Sequence, residues 1–348
     1  MGKSILLVVH GIGEHTADSI KKTVVDAANE ALKRYSFMKE EKFEDHVEVI
    51  GVSYDDIFET ERELIATNAK TLKEILKGTD FSSTLIDELE RINEDKFLTT
   101  HALDVLFYAG LHCEQVRSRV LRSIAKTLEG DEEVHIMAHS MGTAVVQDTL
   151  HKAFTGGFDG IKDSNLDPHV HKINSLWMVA NTSQVFFDWN PLGTNIDPQE
   201  SMVNPSMNES GCVLKFFNLL HQYDLVGQAR PFESPPNWEV FKDNPEDPQT
   251  HFYHHIGTED FYTSKNPHDL GQYIEDPKVS NLFLKTMMPT VFNPSPQEEK
   301  EATLKIPSIN EQAKDIIEYA KNGLKDVDDF KAFIKMIRDF KNKLDDLT

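Results

Sequence analysis

Cysteine is almost missing from this 348-residue chain, which holds two, Cys113 and Cys212. Two thiols cannot build a disulfide framework. Cys113 falls in a helical pattern and Cys212 beside a strand-like run, so each reads as a small buried hydrophobe. Long apolar runs are missing too. No stretch nears the ~20 residues a bilayer-spanning helix needs, so stable membrane insertion is not expected. Ile5 to Val9 is too short for a signal-peptide core and runs directly into His-Gly; it reads as a strand, and the expected location is cytoplasmic. Positive charge is scarce, with 36 Lys and Arg against 58 Asp and Glu, a net charge of −22. From Gln297 onward there are 12 acidic and 10 basic residues, so the negative charge belongs to the main body and not to an acidic tail. Such a field repels nucleic acid and anionic membrane surfaces, and no nucleic-acid partner is expected.

Hydrophobic residues make up 39 % of the chain, enough for a substantial core. Strand-like runs occur at Ser4 to Val9, Val47 to Tyr54, Val134 to Ala138, Ile173 to Ala180 and Val213 to Leu219. The Tyr/Phe-rich stretch around His251, His254 and His255 suggests a last strand. Helical patterns separate them, beginning with an amphipathic run from about Ala17 to Tyr35. Alternation of this kind predicts an α/β fold with a mostly parallel central sheet flanked by helices. One catalytic domain over residues 1–293 is expected, with a helical insertion over about 56–130. Within that insertion, Leu64, Leu72, Ile75 and Leu76 suggest one helix and Val116, Val120, Ile124 and Leu128 another. Residues 188–211 and 230–249 read as long surface loops of the kind that wall substrate sites. Residues 294–348 are expected to form a C-terminal helical extension. Its stripe of Leu324, Val327, Phe330, Ile334, Ile337 and Phe340 needs a cover, either the body, which is preferred, or a second copy in a homodimer.

Val134 to Gly142 carries the clearest chemical signal. An apolar strand enters Ala138-His139-Ser140-Met141-Gly142, and a helical pattern follows at once. A serine on so sharp a strand-to-helix turn is presented as a nucleophile, with small residues two places either side letting strand and helix approach. Gly142 fills one of those positions; Ala138 stands where glycine is usual, and its methyl group is a mild departure. A serine hydroxyl needs a base, and the base an orienting acid, which in this class of sheet follow in the order serine, acid, histidine. Asp224, beyond the Val213 to Leu219 strand, is the candidate acid, with Asp188 its rival. His268, in a loop turning into a helix, is the candidate base, with His251, His254 and His255 as competitors. Those three also raise a metal, but no cysteine or carboxylate spacing completes a site, and none is expected. The N–H of Met141 should donate one oxyanion bond and the loop His10-Gly11-Ile12-Gly13 another, with Ile12 preferred over Gly13. His10 reads as a buttress of that loop, and His139 as a packing residue whose side chain points away from the site.

With its His-Gly-Ile-Gly, Ala-His-Ser-Met-Gly, late Asp224 and Asn266-Pro267-His268, the chain resembles the α/β-hydrolase superfamily, and within it bacterial serine esterases and lipases. The likeness covers about Lys3 to Met288. The resemblance implies two-step acyl transfer to water by Ser140, His268 and Asp224, without a cofactor. A carboxylic ester is the expected substrate, a small neutral one given the acidity of the chain. Thioesters, lactones and amides are alternatives on the same residues, as is a catalytically silent binding protein on the same fold.

Overall fold

A computed structural model describes residues 3–11, 15–59, 113–158, 161, 164–184, 201–228, 230–239, 252–258 and 266–306. The expected helix around Leu64 to Leu76, Ile12, Gly13, Asp188, His251 and the C-terminal stripe lie outside these residues, as do most of the two long loops.

Among the described residues six parallel strands form the sheet: β1 (Ser4–Val9), β2 (Val47–Val52), β3 (Val134–His139), β4 (Ile173–Val179), β5 (Val213–Leu220) and β6 (Tyr253–Gly257), in the order β2-β1-β3-β4-β5-β6. Between β1 and β2 lie α1 (Ala17–Leu32) and the short α2 (Phe43–His46); α3 (Cys113–Thr127) precedes β3 and α4 (Met141–Thr155) follows it. After β5 come α5 (Leu225–Gln228) and α6 (Pro236–Glu239), and after β6 come α7 (Leu270–Glu275), α8 (Pro277–Met287) and α9 (Pro296–Thr303). No described helix is long and apolar enough to cross a membrane.

A parallel sheet covered on both faces needs apolar side chains at successive positions, because strand residues point alternately to either side. β1 shows this. Leu7 and Val9 enter a core shared with Val116, Val120 and Ile124 of α3 and with Val145 of α4. Leu6 and Val8 enter a second core with Ile20 and Val24 of α1, Leu270 and Tyr273 of α7, and Phe283 of α8. Burial of this kind is worth about 25 cal/mol per Å² of apolar surface, so the two cores stabilise the sheet from both faces. Cys113 and Cys212 are both free and buried, and burial raises the Cys212 thiol to about 12.

Some boundaries differ from the sequence pattern. β2 ends at Val52 instead of Tyr54, because Ser53 Oγ donates to the His15 carbonyl (2.6 Å) and Tyr54 OH to the His10 carbonyl (2.8 Å). These bonds turn the chain toward the end of β1, and residues 55–59 are already helical. β4 ends at Val179, one residue early, because Ala180 takes φ +48° and leaves the extended region.

The strand order fixes where a site can lie. β1 has β2 on one side and β3 on the other, so successive connections depart from it in opposite directions. Loops at the carboxyl ends of two such strands splay apart and leave a crevice, the usual ligand position in parallel α/β sheets. Val9 pairs with Ala138 across β1 and β3, so His10-Gly11 and His139-Ser140 emerge side by side at that crevice.

Candidate active site

Ser140 sits at the end of β3 and at the N-cap of α4, with φ +55° and ψ −133°. A non-glycine residue there is strained, and such strain persists only where its surroundings over-determine it. The surroundings do so. Ser140 N–H donates to the Val179 carbonyl at 3.0 Å. The Ser140 carbonyl accepts from Thr143 N (2.9 Å), Thr143 Oγ1 (2.6 Å) and Thr182 Oγ1 (3.0 Å). Thr143 Oγ1 in turn accepts from Thr182 N at 2.9 Å, tying the elbow to the loop after β4.

Two glycines make the close approach feasible. A Cβ added to Gly142 would lie 2.6 Å from the Val9 carbonyl oxygen, and one added to Gly11 2.7 Å from Ser140 Cβ and 2.9 Å from Met141 N. The Ala138 methyl, in contrast, is accommodated in the core on the α3–α4 face. Met141 opens α4, where first-turn N–H groups lack intrahelical acceptors and the helix dipole favours negative charge. Gly11 therefore lies directly over the N–H expected to hold an oxyanion.

His268 Nε2 stands 3.0 Å from Ser140 Oγ. Its Nδ1 lies 2.9 and 2.8 Å from Asp224 Oδ1 and Oδ2. An ionised carboxylate only accepts, so Nδ1 carries the proton and Nε2 is left as an acceptor for the serine hydroxyl. His268 lies just outside α7, whose N-cap Asp269 accepts from Gln272 N at 2.9 Å, a bond worth ~1 kcal/mol that fixes where the helix begins. The His268 main chain is held further by its N–H to Asn266 Oδ1 at 3.0 Å.

Asp224 lies in the loop after β5 and is 1 % exposed. Its Oδ1 accepts from Val226 N (3.0 Å) and Gly227 N (3.1 Å), and its Oδ2 from Tyr273 OH (2.7 Å). Burial pushes this carboxyl up, but the neighbouring His268 and the bonds from His268, Tyr273 and Gly227 outweigh it and hold Asp224 below the usual carboxylate value. Asp224 is therefore ionised at neutral pH although buried.

The other histidines separate clearly. His254 and His255 belong to β6, where the His254 ring stacks on Phe217 with 4.8 Å between centroids and Asn218 Nδ2 donates to His255 Nδ1 at 3.0 Å. His139 corrects the expectation of a packing residue turned away from the site. Its ring lies 4.7 Å from the His268 ring, and its Nε2–H donates to the His268 carbonyl at 2.8 Å. The His10 ring lies 4.7 Å from that of His139, tilted by 56°, and among the described residues its buried Nδ1 has no hydrogen-bond partner. Burial, then the adjacent histidines, depress both imidazoles well below the ordinary value, so both are neutral. Among the described residues no group of three or more His, Cys, Asp or Glu is arranged to hold a metal ion.

Ser140, His268 and Asp224 are thus brought together in that order, beside Met141. Sequence reasoning missed Tyr273, Thr143 and Thr182. For the amides of Val226 and Gly227 a signal existed, since an aspartate often accepts from N–H groups two and three residues on. No protein-family profile, characterised protein or solved structure matches the chain. The fold and site define an α/β protein with an all-parallel sheet and a hydrogen-bonded serine–histidine–aspartate row at the sheet's switch point.

Proposed function

We propose that the chain is a serine hydrolase of the α/β-hydrolase type that cleaves carboxylic esters through an acyl-serine intermediate. One observation carries the reading: a positive-φ serine at a strand-to-helix turn lies within hydrogen-bond reach of an imidazole whose other nitrogen faces a buried, ionised aspartate. Strained elbows of this form are sited for chemistry and are not needed to connect a strand to a helix.

In the first step His268 Nε2 takes the Ser140 proton as Oγ attacks the ester carbonyl. Asp224 keeps the imidazole in its useful tautomer and stabilises the imidazolium that forms. Charge developing on the carbonyl oxygen is met by Met141 N–H at the positive end of α4 and by the main chain of the loop after β1. Each such donor is worth ~3 kcal/mol of barrier. His268 then returns its proton to the departing alcohol, and in the second step activates water against the acyl-serine. Every atom needed is in the chain, the ester and water, so no cofactor is required.

The negative charge of the body favours neutral over anionic esters. Hydrolysis of a p-nitrophenyl ester series graded by acyl length tests the reading. The expected result is turnover by the native chain that Ser140→Ala abolishes. Equal turnover by that variant refutes it.

A further inference from the structure

Tyr273 is buried in α7, five residues after the proposed base, with its phenol at a junction. The hydroxyl donates to Asp224 Oδ2 at 2.7 Å and accepts from His221 N at 3.0 Å. His221 begins the turn that presents Asp224, whose own N–H donates to the His221 carbonyl at 3.0 Å. One phenol therefore joins the helix that follows the base to both the backbone and the carboxylate of the acid's loop. Burial, then the adjacent Asp224 charge, raises the phenol well above its ordinary value, so it is always a neutral donor here.

Among the described residues the carboxylate divides its charge among four donors: His268 Nδ1–H, Tyr273 O–H, and the N–H groups of Val226 and Gly227. Two are backbone groups fixed by the turn, and one is the proposed base itself. Among the described residues the phenol is the only side-chain donor competing with His268, and at Oδ2 it competes for the same oxygen. What the phenol withdraws from Oδ2 is not available to stabilise an imidazolium.

We infer that Tyr273 is a positioning residue that sets the basicity of His268 by sharing the Asp224 carboxylate, and so places the acid limb of the reaction's pH profile. The inference rests on the hydrolase reading of the site. Among the described residues the other groups facing His268 are Ser140, His139 and His10, together with Asp269 next to it in the chain. Both of these neighbouring imidazoles are neutral, so neither supplies an opposing charge at neutral pH.

Two replacements move the property in opposite directions. Tyr273→Phe deletes the donor and leaves Asp224 more charge to spend on His268, so the histidine gives up its proton at higher pH. A 3-fluorotyrosine placed at 273 alone keeps both bonds but donates more strongly, and moves the histidine the other way. Two readouts serve: the pH dependence of fluorophosphonate capture by Ser140, and an NMR titration of the labelled His268 ring. The expected shift is roughly 0.5 pH unit upward for the phenylalanine variant, about a threefold rate change on the acid limb, and a smaller downward shift for the fluorinated one. For an ester substrate on the acid limb, kcat falls in the phenylalanine variant and KM holds, since the phenol is placed to touch Asp224 and not the ester.

Folding is checked by circular dichroism, and if the phenylalanine variant does not fold the fluorinated one decides alone. A His268 titration that stays put in the folded variants overturns the inference. Native protein that is never captured at Ser140 sinks the hydrolase reading instead, and the NMR titration still decides the role of Tyr273.

Discussion

Gly11 lies so close to Ser140 that a methyl group on it would sit 2.7 Å from the serine Cβ and 2.9 Å from Met141 N. The distance ties the loop after β1 to the elbow after β3, and it follows from the pairing of Val9 with Ala138 two residues earlier. Gly11→Ala should push the two loops apart and misplace the oxyanion donors. Turnover of a p-nitrophenyl ester is expected to fall roughly 10²-fold, the usual effect of losing one such donor. Circular dichroism should remain native. Unchanged kcat would show that the gap can open without cost.

The identity of the base has its own test. His268→Ala should lower kcat by about 10⁴-fold, as removal of a member of a serine–histidine–aspartate row does. His254→Ala, which removes a ring stacked on Phe217, should leave kcat within a few-fold while lowering the unfolding midpoint. The opposite pattern would move the base to β6.

Strain at Ser140 is held by bonds to its carbonyl, and Thr182→Val removes one of them at nearly constant volume. The variant should lose about 1 kcal/mol in urea unfolding, the ordinary worth of a buried hydrogen bond. It should also lose activity by more than that alone implies, because the elbow relaxes. A stability loss with native kcat would show that Thr143 suffices to hold the turn.

Much of the fold could be read from the order of residues. β1 and β3 are continuous apolar runs because both of their faces are covered, and that pattern needs no knowledge of partners. The elbow was legible because it compresses strand, strained turn and helix into a few residues. Asp224 and His268 were candidates from chain order and from their places after a strand and before a helix, with Asp188 and the His251, His254 and His255 group as rivals; the structure brings Asp224 and His268 to Ser140. Tyr273 was not legible: its tie to Asp224 depends on α7 folding back beneath the β5 loop, and no spacing encodes that. The role of His139 was hidden for the same reason, since its ring meets His268 across 129 positions of sequence. The end of β2 was misread because Ser53 and Tyr54 continue a strand-like pattern while their side chains bond elsewhere.

Buried neutral histidines should make the protein sensitive to mild acid. His135 is 2 % exposed, and burial lowers it from 6.5 to about 4. Its unfolded form therefore gains a proton at a pH where its folded form does not. Stability is complete above pH 6.5 and is lost as pH falls toward 4, by on the order of 3 kcal/mol for this residue at the limit. His10 and His139 act in the same direction. Urea midpoints measured between pH 7.5 and 5 should decline steadily, and less steeply in His135→Gln. A flat profile would show that these rings charge in the native state.

The central claim is that the Ser140 oxygen is an activated nucleophile. Peptide mapping by mass spectrometry after reaction with a fluorophosphonate tests it most directly. A single adduct on the peptide bearing Ser140, absent from Ser140→Ala and nearly absent from His268→Ala, is the predicted result. Native, folded protein that stays unmodified, or carries its adduct on another residue, would contradict the account.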